Sequence, residues 1–177
     1  YSLETLTLVC DHISEIQDYL GRNMLLENPS TYLRFTSGDF DEPAFLTEIS
    51  RRTGCDLLLD LNNVVVSCTN QQTSPDDWLD AFPLDRVSQI HLAGHATDRD
   101  ETGAPLLIDS HDRCVDRQVW ALFERVIRDR GTIPTLIEWD DDIPALDVLL
   151  AESAKAAAIL QQAGSFSEKE ARHALAG

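Results

Sequence analysis

The chain has 177 residues, of which 43% are apolar, and it carries a formal net charge of −17 at pH 7. This length is typical of one domain, and the apolar fraction is sufficient for a core. The excess of acidic side chains excludes a nucleic-acid-binding surface, because phosphate binding needs clustered Lys and Arg. No apolar run reaches the 18 residues that predict a membrane-spanning helix.

The cysteines and the first residues indicate the compartment. The four cysteines have no CxxC spacing, and no basic segment followed by an apolar stretch begins the chain. We therefore predict reduced thiols and a cytoplasmic protein. The cysteines are Cys10, Cys55, Cys68 and Cys114.

The first half of the chain alternates between amphipathic helices and short apolar strands. A helix with one apolar face is predicted from Leu6 to Leu20, and a strand over Met24–Glu27. A second helix begins at Pro43 and ends at Gly54. A continuous strand is predicted over Cys55–Asn63, and Val64–Ser67 is compatible with its extension or with a short helix.

The second half repeats the alternation. A short helix is predicted from Ser74 to Phe82, and longer helices over Val115–Arg130 and Pro144–Gln162. Strands are predicted over Val87–Leu92, Leu106–Asp109 and Thr135–Glu138, with a loop over Gly94–Pro105. Strands that are apolar on both faces and alternate with helices predict a parallel sheet with right-handed crossovers. We therefore predict an α/β fold of the TIM-barrel (β/α)8 type.

The number of strands indicates how much of a barrel is present. About five strands are predicted here, whereas a closed barrel needs eight and typically about 250 residues. The chain is therefore expected to hold only part of a barrel. Residues 1–163 are predicted to form this domain and residues 164–177 a polar C-terminal tail.

Acidic residues and histidines follow the predicted strands. The carboxyl ends of parallel strands gather at one edge of a sheet, so these side chains are expected to converge. A single carboxylate at a strand end is more often a helix cap or turn residue, but the repetition favours a site. The candidate residues are Glu27, Asp60, His91, Asp109, His111 and Glu138.

Bound cations explain this pattern best. Burying several carboxylates without a counter-charge is costly, and no Lys or Arg occupies the equivalent positions. Oxygen and imidazole ligands suit iron, manganese or zinc, and the size of the set suggests more than one ion. Asp140–Asp142 are candidate acceptors behind the histidines. Asn62 or Asn63 is either a ligand or an ordinary turn residue.

Six motifs in series resemble one known family. ENPSTYLRF, TGCDLLLDLNN, QIHLAGH, IDSHD, VW and LIEWDDDIP occur in this order and are similar to the multinuclear non-haem iron-dependent oxidase family of the methanobactin biosynthesis oxidase type. The resemblance covers about residues 1–158 and implies a TIM barrel with two or three iron ions. It also implies dioxygen-dependent modification of cysteine residues in a ribosomally synthesised peptide, which a separate partner protein presents.

The resemblance also implies a ligand set. Glu27 is similar to the bridging glutamate of the family, and Asn63 is the asparagine of DLNN that best fits a ligand. The implied metal ligands are Glu27, Asp60, Asn63, His91, Asp109, His111 and Glu138. Family members carry an additional N-terminal part with three strands and further histidine ligands. The resemblance therefore implies that this chain holds the last five or so βα units of an incomplete barrel and that one iron site is incomplete.

Two other functions remain open at this point. One is a divalent-metal TIM-barrel isomerase or hydrolase of the xylose isomerase type, which uses similar ligands. The other is a truncated, non-catalytic metal-binding scaffold. In every case the first predicted strand lacks a neighbour, and an unpaired edge predicts association with a second copy or with a further segment.

Overall fold

The structure is a computed structural model that describes residues 1–174, with the side chains of residues 1–163. The helices are α1 (Leu3–Leu20), α2 (Glu42–Thr53), α3 (Leu61–Asn70), α4 (Pro75–Ala81), α5 (Arg117–Arg130) and α6 (Leu146–Ala174). The strands are β1 (Leu25–Glu27), β2 (Asp56–Asp60), β3 (Val87–Leu92), β4 (Ala96–Arg99), β5 (Pro105–Ile108) and β6 (Thr135–Ile137). None of the described helices is both long and apolar enough to cross a membrane.

Four strands form a parallel sheet in the order β1-β2-β3-β6. The register places Asp60 of β2 beside His91 of β3, and His91 beside Leu136 of β6. Helices separate consecutive strands of this sheet, as right-handed βα crossovers require. The predicted α/β class is confirmed, and the arrangement is compatible with a TIM-type scaffold.

The extended run predicted over Leu106–Asp109 is confirmed by a strand, but its place in the parallel sheet and the loop over Gly94–Pro105 are wrong. Residues Pro105–Ile108 form β5, but β5 pairs antiparallel with β4 in a separate two-stranded sheet and not with the parallel sheet. The expected loop contains β4 and a tight turn, in which Asp100 Oδ1 accepts the N–H groups of Thr102 (2.8 Å) and Ala104 (2.9 Å). The described parallel sheet therefore has four strands instead of five.

The predicted strand over Cys55–Asn63 is too long. It ends at Asp60, whose side chain accepts the Asn63 N–H at 2.7 Å and caps the first turn of α3. This cap is the usual role of Asp at a helix start. Asn62 and Asn63 are therefore helical, and Val64–Ser67 belongs to α3. Leu61 to Cys68 are all buried, so α3 is enclosed between the sheet and its neighbours.

The core has two parts. The larger cluster packs α3 and α5 on β2 and β3, with Phe123, Ile90 and Leu59 fully buried. The smaller cluster joins α1 to α2 through residues such as Leu6 and Ile49. The predicted apolar face of α1 is wrong in its second half, because Ile16 is 44% exposed and Leu20 is 54% exposed.

The last helix, α6, begins at Leu146 and continues to Ala174. Its backbone therefore extends through most of the segment predicted as a polar tail. The domain boundary after residue 163 stays a prediction, since a continuous helix does not mark where a domain ends.

Candidate metal centre

One cluster of side chains lies at the carboxyl end of the parallel sheet. Glu27 ends β1, Asp60 ends β2, His91 lies near the end of β3 and Glu138 follows β6. Each offers one ligand atom, and these atoms lie within 4.8 Å of one another. His91 Nδ1 is 3.1 Å from Glu138 Oε2 and 3.6 Å from Glu27 Oε1. The strand register produces this convergence, because it aligns the ends of neighbouring strands.

A second cluster shares Glu138 with the first. It comprises His111, Glu138 and Asp140, whose ligand atoms also lie within 4.8 Å of one another. His111 Nδ1 is 3.5 Å from Glu138 Oε2 and 3.3 Å from Asp140 Oδ2. Glu138 therefore lies between two groups of metal-ligating atoms, where one carboxylate can contact two ions.

Asp109 lies on the other side of His111. Its Oδ1 accepts hydrogen bonds from His111 Nε2 and from Asn62 Nδ2, each at 2.7 Å. His111 has a left-handed backbone, with φ of 47°. Its N–H donates to Gly94 O at 3.1 Å, and its carbonyl accepts the Asp140 N–H at 2.8 Å. These backbone contacts fix a conformation that a non-glycine residue rarely adopts.

Buried asparagines support the first cluster. Asn28 accepts the Asp60 N–H at 2.8 Å and donates to Asp60 O at 2.9 Å, so its side chain joins the ends of β1 and β2. Asn63 Nδ2 donates to Asn28 O at 2.9 Å. Asp60 Oδ2 and Asn63 Oδ1 are buried and have no hydrogen-bond partner. Two orphaned oxygens beside a His–carboxylate cluster fit a bound cation, which would satisfy both.

The electrostatics also fit a cation. Burial raises the pKa of Asp60 to about 7, and burial raises the pKa of Glu27 as well. The hydrogen bond to Asp109 raises the pKa of His111 to about 9. Burial raises the pKa of Asp109, but hydrogen bonds from His111, Ser30 and Asn62 outweigh it and hold this pKa below its ordinary value. A bound cation would stabilise the charged forms of Asp60 and Glu27, which burial disfavours.

Comparisons with known proteins identify the family of the chain. A profile of the family described as RiPP precursor modification enzyme MbnB/TglH/ChrH matches residues 1–161. RiPPs are ribosomally synthesised and post-translationally modified peptides. The chain belongs to the MbnB/TglH/ChrH family. The resemblance predicted from the six motifs is thereby confirmed.

Several relatives are UPF0276 proteins. The chain is 45% identical over 174 residues to a UPF0276 protein of Paraburkholderia phytofirmans, covering 98% of this chain and 57% of that protein. It is 46% identical over 173 residues to a UPF0276 protein of Rhizobium meliloti, covering 98% and 56%. It is 51% identical over 152 residues to one of Caulobacter sp. strain K31, covering 86% and 54%. The chain thus spans little more than half the length of these relatives.

Within this MbnB/TglH/ChrH member, five of the residues picked out from strand ends contribute to the two clusters, namely Glu27, Asp60, His91, His111 and Glu138. The metal-ligand role of each of the seven candidates stays a prediction. Asp109 contacts His111 instead of the strand-end cluster, because it follows β5 in the hairpin formed by β4 and β5. Asn63 reaches the first cluster from the first turn of α3 and not from a strand.

Two contributing residues, Asn28 and His95, were not among the candidates from the sequence. Asn28 joins two strand ends. Buried His95 contacts Asn62, with 2.8 Å between His95 Nδ1 and Asn62 Oδ1. The available signal was adjacency to candidates, since Asn28 follows Glu27 and His95 lies four residues after His91. Asp140, a predicted acceptor behind the histidines, approaches His111 directly.

Proposed function

We propose that the chain carries the centre of a multinuclear iron-dependent oxidase that uses dioxygen to modify cysteine residues of a ribosomally synthesised peptide. The observation that carries this proposal is the position of Glu138 between two clusters of oxygen and imidazole ligand atoms. A shared carboxylate supports more than one ion, and this ligand chemistry suits iron. Membership of the MbnB/TglH/ChrH family supports a peptide substrate.

The clusters divide the ligands between two metal positions. Glu27, Asp60, Asn63 and His91 would hold the first position, and His111 with Asp109 or Asp140 the second, with Glu138 common to both. Bound iron would supply the activation of dioxygen. The chain supplies the negative charge that holds the ions, and Asn28 fixes the backbone on which Asp60 is carried.

The loop after β1 supports a peptide substrate. It carries the exposed apolar side chains of Leu33 and Phe35, each 77% exposed, and Tyr32. The Tyr32 hydroxyl accepts the Asp109 N–H at 2.9 Å, which places this loop beside the candidate centre. Exposed apolar side chains next to a reactive site are typical of a binding surface. We propose that they contact the precursor peptide or the partner protein that presents it.

The outer strands of the sheet support a larger assembly. β1 and β6 flank the described parallel sheet, and Leu136 of β6 is 45% exposed. An open parallel edge favours pairing. We propose that a second copy of this chain or a further segment of a longer protein covers these edges. The free cysteines support a reducing, cytoplasmic environment for the assembly.

Anaerobic iron loading tests the proposed function. The chain is loaded with Fe²⁺, its iron content is measured, and a cysteine-containing precursor peptide is added with dioxygen. We expect more than one iron per chain and an oxygen-dependent mass change at a peptide cysteine, measured by mass spectrometry. Zinc retention without iron, or a product formed without dioxygen, would instead support the isomerase or hydrolase alternative.

A matched pair of variants tests the shared carboxylate. Glu138→Gln removes the charge common to both clusters, so we expect it to lower the iron content and abolish the mass change. Glu124→Gln makes the same chemical change on the exposed side of α5 and is expected to leave both unchanged. Full iron content in Glu138→Gln would contradict the proposed centre. If the parent chain binds iron but does not modify the peptide, the result would support the alternative of a non-catalytic metal-binding scaffold.

A further inference from the structure

Helix α3 holds β5 in place with an asparagine. Asn70 Nδ2 donates to Leu107 O at 2.9 Å, and Asn70 Oδ1 accepts the Leu107 N–H at 2.8 Å. One side-chain amide thus makes both hydrogen bonds that a neighbouring strand would make. Asn62 lies eight residues earlier, about two helical turns away, so the two side chains share one face of the helix. This face of α3 determines where β5 and Asp109 lie.

Asn62 has a defined orientation. Its Nδ2 is 2.7 Å from Asp109 Oδ1, and its Oδ1 is 2.8 Å from His95 Nδ1. A carboxylate oxygen accepts but does not donate, so the amide nitrogen must face Asp109. The amide oxygen then faces His95, whose Nδ1 must carry a hydrogen and donate it. His95 therefore determines the orientation of the amide that holds Asp109.

The position of His95 is itself fixed by close backbone packing. A Cβ on the preceding residue, Gly94, would lie 2.4 Å from the carbonyl oxygens of Arg113 and Cys114. The Gly94 carbonyl also accepts the His111 N–H at 3.1 Å. The dipeptide Gly94-His95 thus contacts the His111 backbone directly and Asp109 through Asn62. Both Asn62 and His95 are buried, so water cannot readily replace either hydrogen bond.

We propose that His95, acting through Asn62, is a positioning residue that fixes Asp109 and with it the His111 half of the metal centre. This inference rests on the proposed metal centre. In the described part of the chain, the hydrogen bonds of the His95 and Asn62 side chains lead to Asp109 and not to Glu27 or His91. Loss of His95 therefore weakens metal binding in one half of the centre and leaves the other half intact.

Anaerobic titration of the whole chain with Fe²⁺ tests this role, with Co²⁺ absorption as the spectroscopic probe of ligand geometry. His95→Ala leaves Asn62 Oδ1 without its donor, and we expect one binding step to weaken by about ten-fold, as is typical when a residue behind a ligand is lost. His95→Gln retains an N–H donor and is expected to recover binding to within about three-fold. Asn62→Ala is expected to reproduce the His95→Ala result.

Ser50→Ala is the matched control. Ser50 is equally buried and donates to Cys55 O at 2.7 Å, but it lies at the opposite end of the sheet. We expect its loss to lower the melting temperature without changing either binding step or the Co²⁺ spectrum. The inference is overturned if His95→Ala and Asn62→Ala, folded by circular dichroism, bind both ions as the parent does. It is also overturned if both steps weaken equally. A parent chain that binds no metal would instead contradict the proposed metal centre itself.

Discussion

At the amino-terminal end of the parallel sheet, Arg86 lies among polar groups that all have partners. Its Nε donates to Ser50 Oγ at 3.0 Å and its Nη2 donates to Cys55 O at 3.3 Å. Asp56 lies 3.5 Å from the same guanidinium. This end of the sheet therefore contains a cation, its counter-charge and satisfied hydrogen bonds, which is the arrangement expected of a structural contact.

At the carboxyl-terminal end, the same sheet gathers carboxylates without an arginine. Asp60 and Asn63 each retain a buried oxygen without a partner, and burial raises the pKa of Asp60 and Glu27. The amino-terminal end is thus satisfied by its own side chains, whereas the carboxyl-terminal end fits the proposed metal centre. The residues that distinguish the two ends can be changed one at a time.

The largest expected effect is the loss of metal-induced stability. At a free Fe²⁺ concentration 100 times the dissociation constant, binding adds about 2.7 kcal/mol, which raises the melting temperature by roughly 5–10 °C for a domain of this size. We expect the double variant Asp109→Asn with His111→Gln to lose the part of this gain that comes from the ion at Asp109 and His111, because it removes one half of the centre. The measurement is anaerobic melting with and without Fe²⁺.

His12→Gln is the control for this variant. His12 is exposed on α1, away from both clusters, so the full Fe²⁺-induced shift should persist. If the double variant keeps the whole shift, or if the parent shows none, the carboxyl end of the sheet is not a metal centre.

The second prediction concerns how the stability of the metal-free protein depends on pH. The pKa of Asp60 is raised to about 7 and that of His111 to about 9, above their values in an unfolded chain. The stability that these groups contribute at low pH is lost as pH rises through these values. We expect the melting temperature of metal-free protein to fall between pH 5 and pH 8. Chelated samples measured at constant ionic strength test this slope.

Asp60→Asn isolates the contribution of one carboxylate. Asn also caps a helix, so the contact with the Asn63 N–H is retained while the buried charge is removed. We expect this variant to be more stable than the parent at pH 8 by about 1–3 kcal/mol, and to show a weaker pH dependence. A variant less stable than the parent at pH 8 would show that the Asp60 charge is satisfied without metal.

The smallest expected effect is at the amino-terminal end of the parallel sheet. Arg86→Ala removes hydrogen bonds from a partly exposed guanidinium, and we expect a loss of about 1 kcal/mol of stability. The Fe²⁺-induced shift in melting temperature should be the same as in the parent. A reduced shift would mean that the two ends of the sheet are coupled.

Several features followed from the sequence alone because they depend on local chemistry. Gly54 ends α2 in a left-handed conformation at the position that the sequence predicts, and Gly21 ends α1 in the same way. Apolar runs gave the four strands of the parallel sheet, and their last residues indicated where charged side chains would gather. The order of six motifs was sufficient to predict the family.

The tertiary structure decided the contacts that depend on residues distant in the sequence. Leu106–Ile108 has the apolar pattern of a buried strand, but its partner is β4, which a period-two pattern does not reveal. Asp60 ends β2 because its carboxylate caps α3. Asn62 and Asn63 therefore belong to the helix and not to the strand. The hydrogen bond between Asn62 and Asp109, through which His95 acts, joins two residues that are 47 positions apart in the sequence. Local patterns therefore predicted which side chains the site contains, and only the packing of α3 against the hairpin decided how they are held.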